Sequence, residues 1–124
     1  MARAFWVEAS ELWVADDAQV TWHGWPDGKP VQSVLAIPGS DDAIVILEHN
    51  AGPRFDHGRI RRWPSLVRVR ADGRVVWRAA AVDVQDSWLD VYWSTGGLIG
   101  NTGSGFLVKL DPDTGRELSR ELLE

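Results

Sequence analysis

The residues best suited to binding chemistry lie in one segment, EHNAGPRFDHGRIRRWPS, between Leu47 and Leu66. It is locally basic inside a chain whose formal net charge is -5. Arginine can form two parallel hydrogen bonds with a carboxylate or a phosphate, and a neighbouring tryptophan supplies a flat contact surface. Because loops on rigid scaffolds often carry binding sites, we predict that this segment holds another protein with an acidic surface. The candidate partner-binding residues are Arg54, His57, Arg59, Arg61, Arg62 and Trp63.

A purely structural role for the same segment stays open. Phe55, Ile60 and Trp63 would then pack the loop over an exposed sheet edge, while its arginines pair with the acidic surface of the chain. Either role makes this segment the part of the sequence that departs most from its surroundings.

Metal-binding chemistry is not indicated. His23, His49 and His57 are the only histidines, and their spacings match no ligand motif. The stretch DPDTGRE at 111–117 fails as a calcium loop because Gly115 stands fifth, where an EF-hand needs glycine sixth. The chain has no cysteine, which excludes disulfides, thiolate catalysis and cysteine-ligated zinc. We therefore expect no metal site.

Catalytic chemistry has no more support than metal binding. The glycine-rich segment at 96–105 lacks the lysine of a phosphate loop, and Ser104 does not stand in a nucleophile-elbow motif. Asp83, Asp86 and Asp90 are interpreted as solvated acidic surface. We expect no catalytic residues and no cofactor.

Composition is that of an ordinary globular domain, with 44% hydrophobic and 25% charged residues. The acidic balance argues against nucleic acid as a partner, because phosphate binding requires a basic face. The longest aliphatic run, AIVIL at 43–47, is far shorter than the ~18 residues of a membrane helix. The amino-terminal residues do not resemble a secretory signal, so we expect no membrane partner and a cytoplasmic location.

Three strand–turn–strand segments repeat along this tryptophan-rich chain. They read ELWVADDAQVTWH from Glu11, LVRVRADGRVVWR from Leu66, and LVKLDPDTGRELSR from Leu107. The Asp-Gly turn of the middle copy is typical of a β-hairpin. Equivalent positions are 55 residues apart between the first two copies and 41 between the last two, and the longer interval contains the basic segment.

Further strand pairs precede the second and third hairpins, which gives units of four strands. We predict an all-β fold in a single domain, 1–124, built as an incomplete β-propeller-like stack of antiparallel blades. Its parts are a partial blade at 3–23, a blade at 31–78 with an inserted loop at 48–65, and a blade at 88–121.

The last hairpin carries Asp111, Thr114, Gly115 and Arg116, and the middle one carries Gly73, Arg74 and Trp77. These residues resemble the blade motif of the PQQ-like, or quinoprotein-type, β-propeller family. The resemblance implies that Trp22 and Trp77 dock onto the neighbouring blade, and that Ser119 replaces this tryptophan in the third copy.

An incomplete propeller leaves sheet edges open, so we expect homo-oligomerisation or edge-to-edge association. The favoured function is non-catalytic protein binding, as in a bacterial inhibitor or immunity-type protein. One alternative is a quinoprotein-like ligand or cofactor binder completed by oligomerisation. Another is a carbohydrate-binding module using Trp25 and Trp63, which both stand beside prolines.

Overall fold

A computed structural model describes residues 3–48, 54–56, 59–61, 64–82 and 86–123. These residues form three antiparallel sheets and a separate two-stranded ribbon. The predicted all-β class is confirmed, and the 3₁₀ turn Pro26–Gly28 is the one helical element of the described residues. No helix in those segments is long and apolar enough to cross a membrane.

The first sheet has three strands in the order β1-β2-β3. They are β1 (Arg3–Glu8), β2 (Glu11–Asp16) and β3 (Gln19–Gly24). Two-residue turns connect them, and the turn residues Ala9, Ser10, Asp17 and Ala18 all have positive φ. Such turns match the twist of a hairpin but are strained for residues other than glycine.

The second sheet has the order β4-β5-β8-β9. Its strands are β4 (Val31–Ala36), β5 (Ala43–Leu47), β8 (Leu66–Val69) and β9 (Val75–Ala79). Between β5 and β8 the chain forms the ribbon of β6 (Arg54–Asp56) and β7 (Arg59–Arg61).

The third sheet has the order β10-β11-β12-β13. Its strands are β10 (Trp88–Ser94), β11 (Gly97–Thr102), β12 (Phe106–Leu110) and β13 (Glu117–Leu122).

Two apolar layers hold the three sheets together. Leu12 and Val14 pack against Val45 and Val67 between the first and second sheets. Ile44, Ile46 and Leu66 pack against the third sheet in a second layer, whose other members are Trp77, Ala81, Trp88, Val91, Leu98, Val108 and Leu110. All five residues of β5 are buried because both faces of this strand are covered.

Tryptophans fasten each sheet to the next one along the chain. A Cβ on Gly73 would collide with the Trp22 ring, and a Cβ on Gly115 would lie 2.5 Å from the Trp77 ring. Trp77 also donates a hydrogen bond from Nε1 to the Pro112 carbonyl oxygen, at 2.8 Å. The tryptophan of one hairpin therefore docks on the turn glycine of the next.

Candidate functional site

The predicted binding segment is an insertion into the most buried sheet of the protein. It leaves β5 at Leu47 and returns at β8 through Ser65, and the Leu47 N–H donates to the Ser65 carbonyl oxygen at 2.7 Å. Leu47, Ser65 and Leu66 are all almost fully buried. The insertion thus starts and ends on a rigid, hydrogen-bonded base.

The described part of the insertion is the antiparallel ribbon β6–β7. In its register Arg54 is opposite Arg61, Phe55 is opposite Ile60, and Asp56 is opposite Arg59. Successive strand residues alternate between faces, so the three arginines and Asp56 occupy register positions of one face. Phe55 and Ile60 occupy positions of the other. The structure therefore places Arg54, Arg59 and Arg61 at strand positions of one ribbon face, whereas His57, Arg62 and Trp63 lie outside the described residues.

The base of the insertion adjoins the first sheet. The Ser10 hydroxyl donates a hydrogen bond of 3.3 Å to the Glu48 carboxylate, and the Val31 N–H donates one of 2.7 Å to the Ser10 carbonyl oxygen. The insertion and the β1–β2 turn consequently leave the stack on the same side.

An aromatic ladder crosses the outer face of the first sheet. Trp6 and Trp13 are opposite each other in register, as are Trp13 and His23. Their ring centroids are 6.1 and 4.2 Å apart, with interplanar angles of 20° and 11°. His23 Nδ1 lies 3.5 Å from a Glu11 carboxylate oxygen at the end of the ladder. Neighbours stack on both sides of Trp13, so its ring faces are covered.

The outer face of the third sheet carries a shallow groove of about 570 Å³. Tyr92, Ile99 and Leu107 supply its apolar lining, and its charged residues are Lys109, Arg120 and Glu121. A smaller cavity of about 270 Å³ lies between the second and third sheets, bordered by Trp88 and by the Arg120–Glu117 ion pair.

Asp86 departs from its prediction as solvated acidic surface. It is 4% exposed and accepts hydrogen bonds from the Ser104 hydroxyl at 2.5 Å, the Ser104 N–H at 2.9 Å and the Ser87 N–H at 2.9 Å. Burial raises the pKa of Asp86, but the hydrogen bonds from Ser104, Thr102 and Ser87 outweigh it and hold the pKa below its ordinary value. Asp86 therefore fastens the β11–β12 turn to the start of β10. Asp83 lies outside the described residues.

The remaining sequence candidates have local structural roles. Asp111 accepts a hydrogen bond of 2.9 Å from the Asp113 N–H, as expected for an aspartate-stabilised turn. For the metal-binding candidates, no group of three His, Asp or Glu side chains in the described segments is placed to hold a metal ion. Trp88 is buried, while Trp25 is 50% exposed.

No protein-family model matches the chain, and no curated protein sequence matches it. Among solved structures, the chain is similar to the crystal structure of BamB from Moraxella catarrhalis, with a TM-score of 0.61 at 14% sequence identity. The match covers 98% of this chain and 35% of that one. The likeness shows a propeller-like fold. The chain spans about a third of the length of that protein.

Proposed function

We propose that this chain is a non-catalytic scaffold that binds another protein, and that the β6–β7 ribbon contacts an acidic surface of the partner. One observation carries this proposal: the insertion forms a paired ribbon outside all three blade sheets, with three arginines in register on it.

The electrostatics of the ribbon favour an external anion. Asp56 is opposite Arg59, which is a favourable cross-strand pair, but Arg54 is opposite Arg61. Like charges directly opposite each other on neighbouring strands are destabilising. A carboxylate from a partner would relieve this repulsion, and Arg62 follows Arg61 directly in the sequence. The net charge of the whole chain is -5, so a locally basic segment is the part of it best suited to an acidic partner.

We do not expect copies of this chain to associate by stacking the third blade of one copy on the first blade of the next. The docking pattern requires a tryptophan on one blade and a turn glycine on the next, as Trp77 and Gly115 show. In register, Ser119 is opposite Lys109 as Trp77 is opposite Arg68, so a serine stands at the docking position of the third blade. The first blade has Ala18 in its turn. Two copies stacked end to end would therefore lack the tryptophan–glycine contact. Sedimentation velocity measures the outcome, and a closed ring of copies would contradict this reasoning.

The experiment for protein binding is a quantitative affinity capture with matched arginine variants. The triple variant Arg59→Ala, Arg61→Ala and Arg62→Ala removes charge from the insertion. The control carries alanine at Arg70, Arg74 and Arg116, which are exposed arginines of the β8–β9 and β12–β13 turns. Both variants lower the net charge equally, so non-specific electrostatic binding falls in both.

We expect the insertion variant to lose a captured partner by about tenfold or more, the effect of about 1.4 kcal/mol at an interface. The control should retain it within about twofold. If the insertion variant captures every partner as well as the wild type does, the ribbon is not the binding element.

The exposed Trp25 ring keeps the carbohydrate alternative as a second candidate. An exposed indole can stack on the apolar face of a sugar ring. A glycan array compares the wild type with Trp25→Ala: specific binding that disappears in the variant would favour this function over protein binding, and the absence of glycan binding would remove it.

A further inference from the structure

The first sheet has three strands, and the other two have four. The register shifts of the three hairpins show which strand the first sheet lacks. The hairpins β2–β3, β8–β9 and β12–β13 are each interrupted at one corresponding point, between Val14 and Ala15, Arg68 and Val69, and Lys109 and Leu110. Superposing these points makes β2 equivalent to β8 and β12. β1 is then equivalent to β5 and β11, the second strands of their blades.

The second and third blades show what lies beside such a strand. β4 pairs with β5 and β10 pairs with β11 as the innermost strands, and each has a register shift near its start, at Val31/Ser33 and Trp88/Asp90. Within the described residues β1 has a single strand neighbour, β2. Its other edge therefore corresponds to the position that an innermost strand fills in both complete blades.

We propose that this free edge of β1 is a strand-acceptor site, which takes an extended segment of another polypeptide as the innermost strand of the first blade. The inference goes beyond the proposed function, because it concerns a second surface and a different kind of contact: main-chain hydrogen bonding rather than charge.

The hydrogen-bonding direction of the edge follows from the equivalent strand. The Leu47 N–H points to β8 and donates to Ser65, whereas the Glu48 N–H points the other way and donates to Pro30, just before β4. Because this direction alternates along a strand, the N–H groups of Ile44 and Ile46 face β4. Their equivalents in β1, by the same register, are Phe5 and Val7. These two residues carry the edge donors that an added strand would use.

The residues around the edge define the occupant. Phe5 and Val7 pack against the layer between the first and second sheets, so the added strand needs an apolar residue on that side, as Leu35 is opposite Ile44 in the second blade. Opposite Trp6 it needs another apolar residue, at the position that Val34 takes opposite Val45. There it would extend the ladder that Trp6 forms with Trp13. The occupant is an extended segment of about six residues with an apolar centre.

A second copy of the chain does not meet this description. β4, the first strand of the second sheet, already packs beside β1. A whole blade approaching through its own β1 would bring its second sheet into β4.

The test uses a synthetic peptide with the sequence of residues 30–38, the innermost strand of the second blade, as a surrogate occupant. Amide resonances of the full chain are followed by NMR up to about 1 mM peptide. We expect shifts concentrated in β1, and hydrogen exchange of the Phe5 and Val7 amides slowed by about tenfold or more.

A matched pair of variants separates edge pairing from side-chain packing. Val7→Pro removes an edge donor where a strand tolerates proline, and Val7→Ala removes apolar surface but keeps the N–H. The peptide should bind the alanine variant and not the proline variant. Equal binding by both, shifts confined to the Tyr92–Leu107 groove, or no shifts at all would overturn the proposal.

A second test attaches the added strand covalently to the chain, so that it does not depend on whether the proline variant folds. By register Arg3 corresponds to Asp42, so a copy of residues 30–41 joined directly to Arg3 reproduces the β4–β5 connection. We expect this extension to protect the Phe5 and Val7 amides and a scrambled extension not to do so; equal protection by both would contradict the proposal. The arginine variants of the insertion should bind the peptide like the wild type, so failure at this edge and failure of the ribbon are distinguishable.

Discussion

Replacing Gly115 by alanine tests how the blades are held together. The glycine has φ of +76°, and a Cβ there would lie 2.5 Å from Cε3 of Trp77. An L-residue in this backbone region costs about 1–2 kcal/mol by itself. The Trp77 ring must also move, and it is 8% exposed with a hydrogen bond to Pro112. Complete loss of a buried tryptophan contact costs about 3–5 kcal/mol, which is an upper bound for this second contribution.

The fold offers a matched control for the backbone contribution. Gly28 and Gly39 have φ of +70° and +73°, with nothing within 4 Å of an added Cβ. Gly28→Ala and Gly39→Ala should therefore cost only about 0.5–1 kcal/mol, because the lower entropy of alanine in the unfolded chain offsets part of the backbone strain. Gly115→Ala should cost about 2–4 kcal/mol, which lowers the melting temperature of a domain of this size by about 8–16 °C.

The assay is urea unfolding followed by tryptophan fluorescence, with thermal unfolding in parallel. The difference between Gly115→Ala and the two controls isolates the docking of Trp77. If all three variants lose the same free energy of unfolding, within about 0.5 kcal/mol, the tryptophan–glycine contact does not hold the second and third blades together.

Three further predictions concern local features of the fold. Ala18→Gly should raise the free energy of unfolding by about 0.5–1 kcal/mol, because Ala18 has φ of +68°, and a loss of stability in urea would contradict this. Trp77→Phe keeps an aromatic ring but loses the hydrogen bond to Pro112, so it should lower the free energy of unfolding by about 1–3 kcal/mol in the same assay. An unchanged free energy of unfolding would show that this hydrogen bond does not stabilise the fold. Asp86→Asn should cost about 1–3 kcal/mol at neutral pH, because it removes the carboxylate that Ser104 donates to. The folded-state pKa of Asp86 lies below its ordinary value of 3.8, so this stabilisation is present above about pH 4 and is lost as the pH falls through the lower folded-state pKa. Stability curves of the variant and the wild type should accordingly converge in acid, and a constant difference down to the lowest accessible pH would contradict the assignment.

Local patterns predicted much of the architecture. The alternating strands and the Asp-Gly turn at 72–73 indicated the hairpins, and the structure has strands there. The docking of Trp22 and Trp77 between blades followed from the family resemblance and is confirmed by their contacts with Gly73 and Gly115. The hairpins depend on residues close together in the chain, and the docking depends on one contact that is repeated. Patterns of both kinds can be recognised in a single sequence.

Features that depend on register were not predictable in the same way. The ladder of Trp6, Trp13 and His23 requires the pairing of three strands, and the interruption after Val14 shifts the partners beyond it. The burial of Asp86 depends on the β11–β12 turn, which folds back onto it from 18 residues away. Aspartates are usually exposed, so composition favoured the solvated interpretation that the structure corrects. For the insertion, the ribbon brings three of the six candidate residues into register, and their role in binding stays a prediction.

Site-specific photocrosslinking tests the protein-binding account most directly. A photoreactive amino acid is placed at Arg59 in the ribbon and, as a control, at Arg74 in the exposed β8–β9 turn. We expect a discrete crosslinked partner from position 59 that an excess of unlabelled wild-type chain competes away, and no such product from position 74. A partner that crosslinks from position 74 and not from position 59 would show that the ribbon is not the binding element.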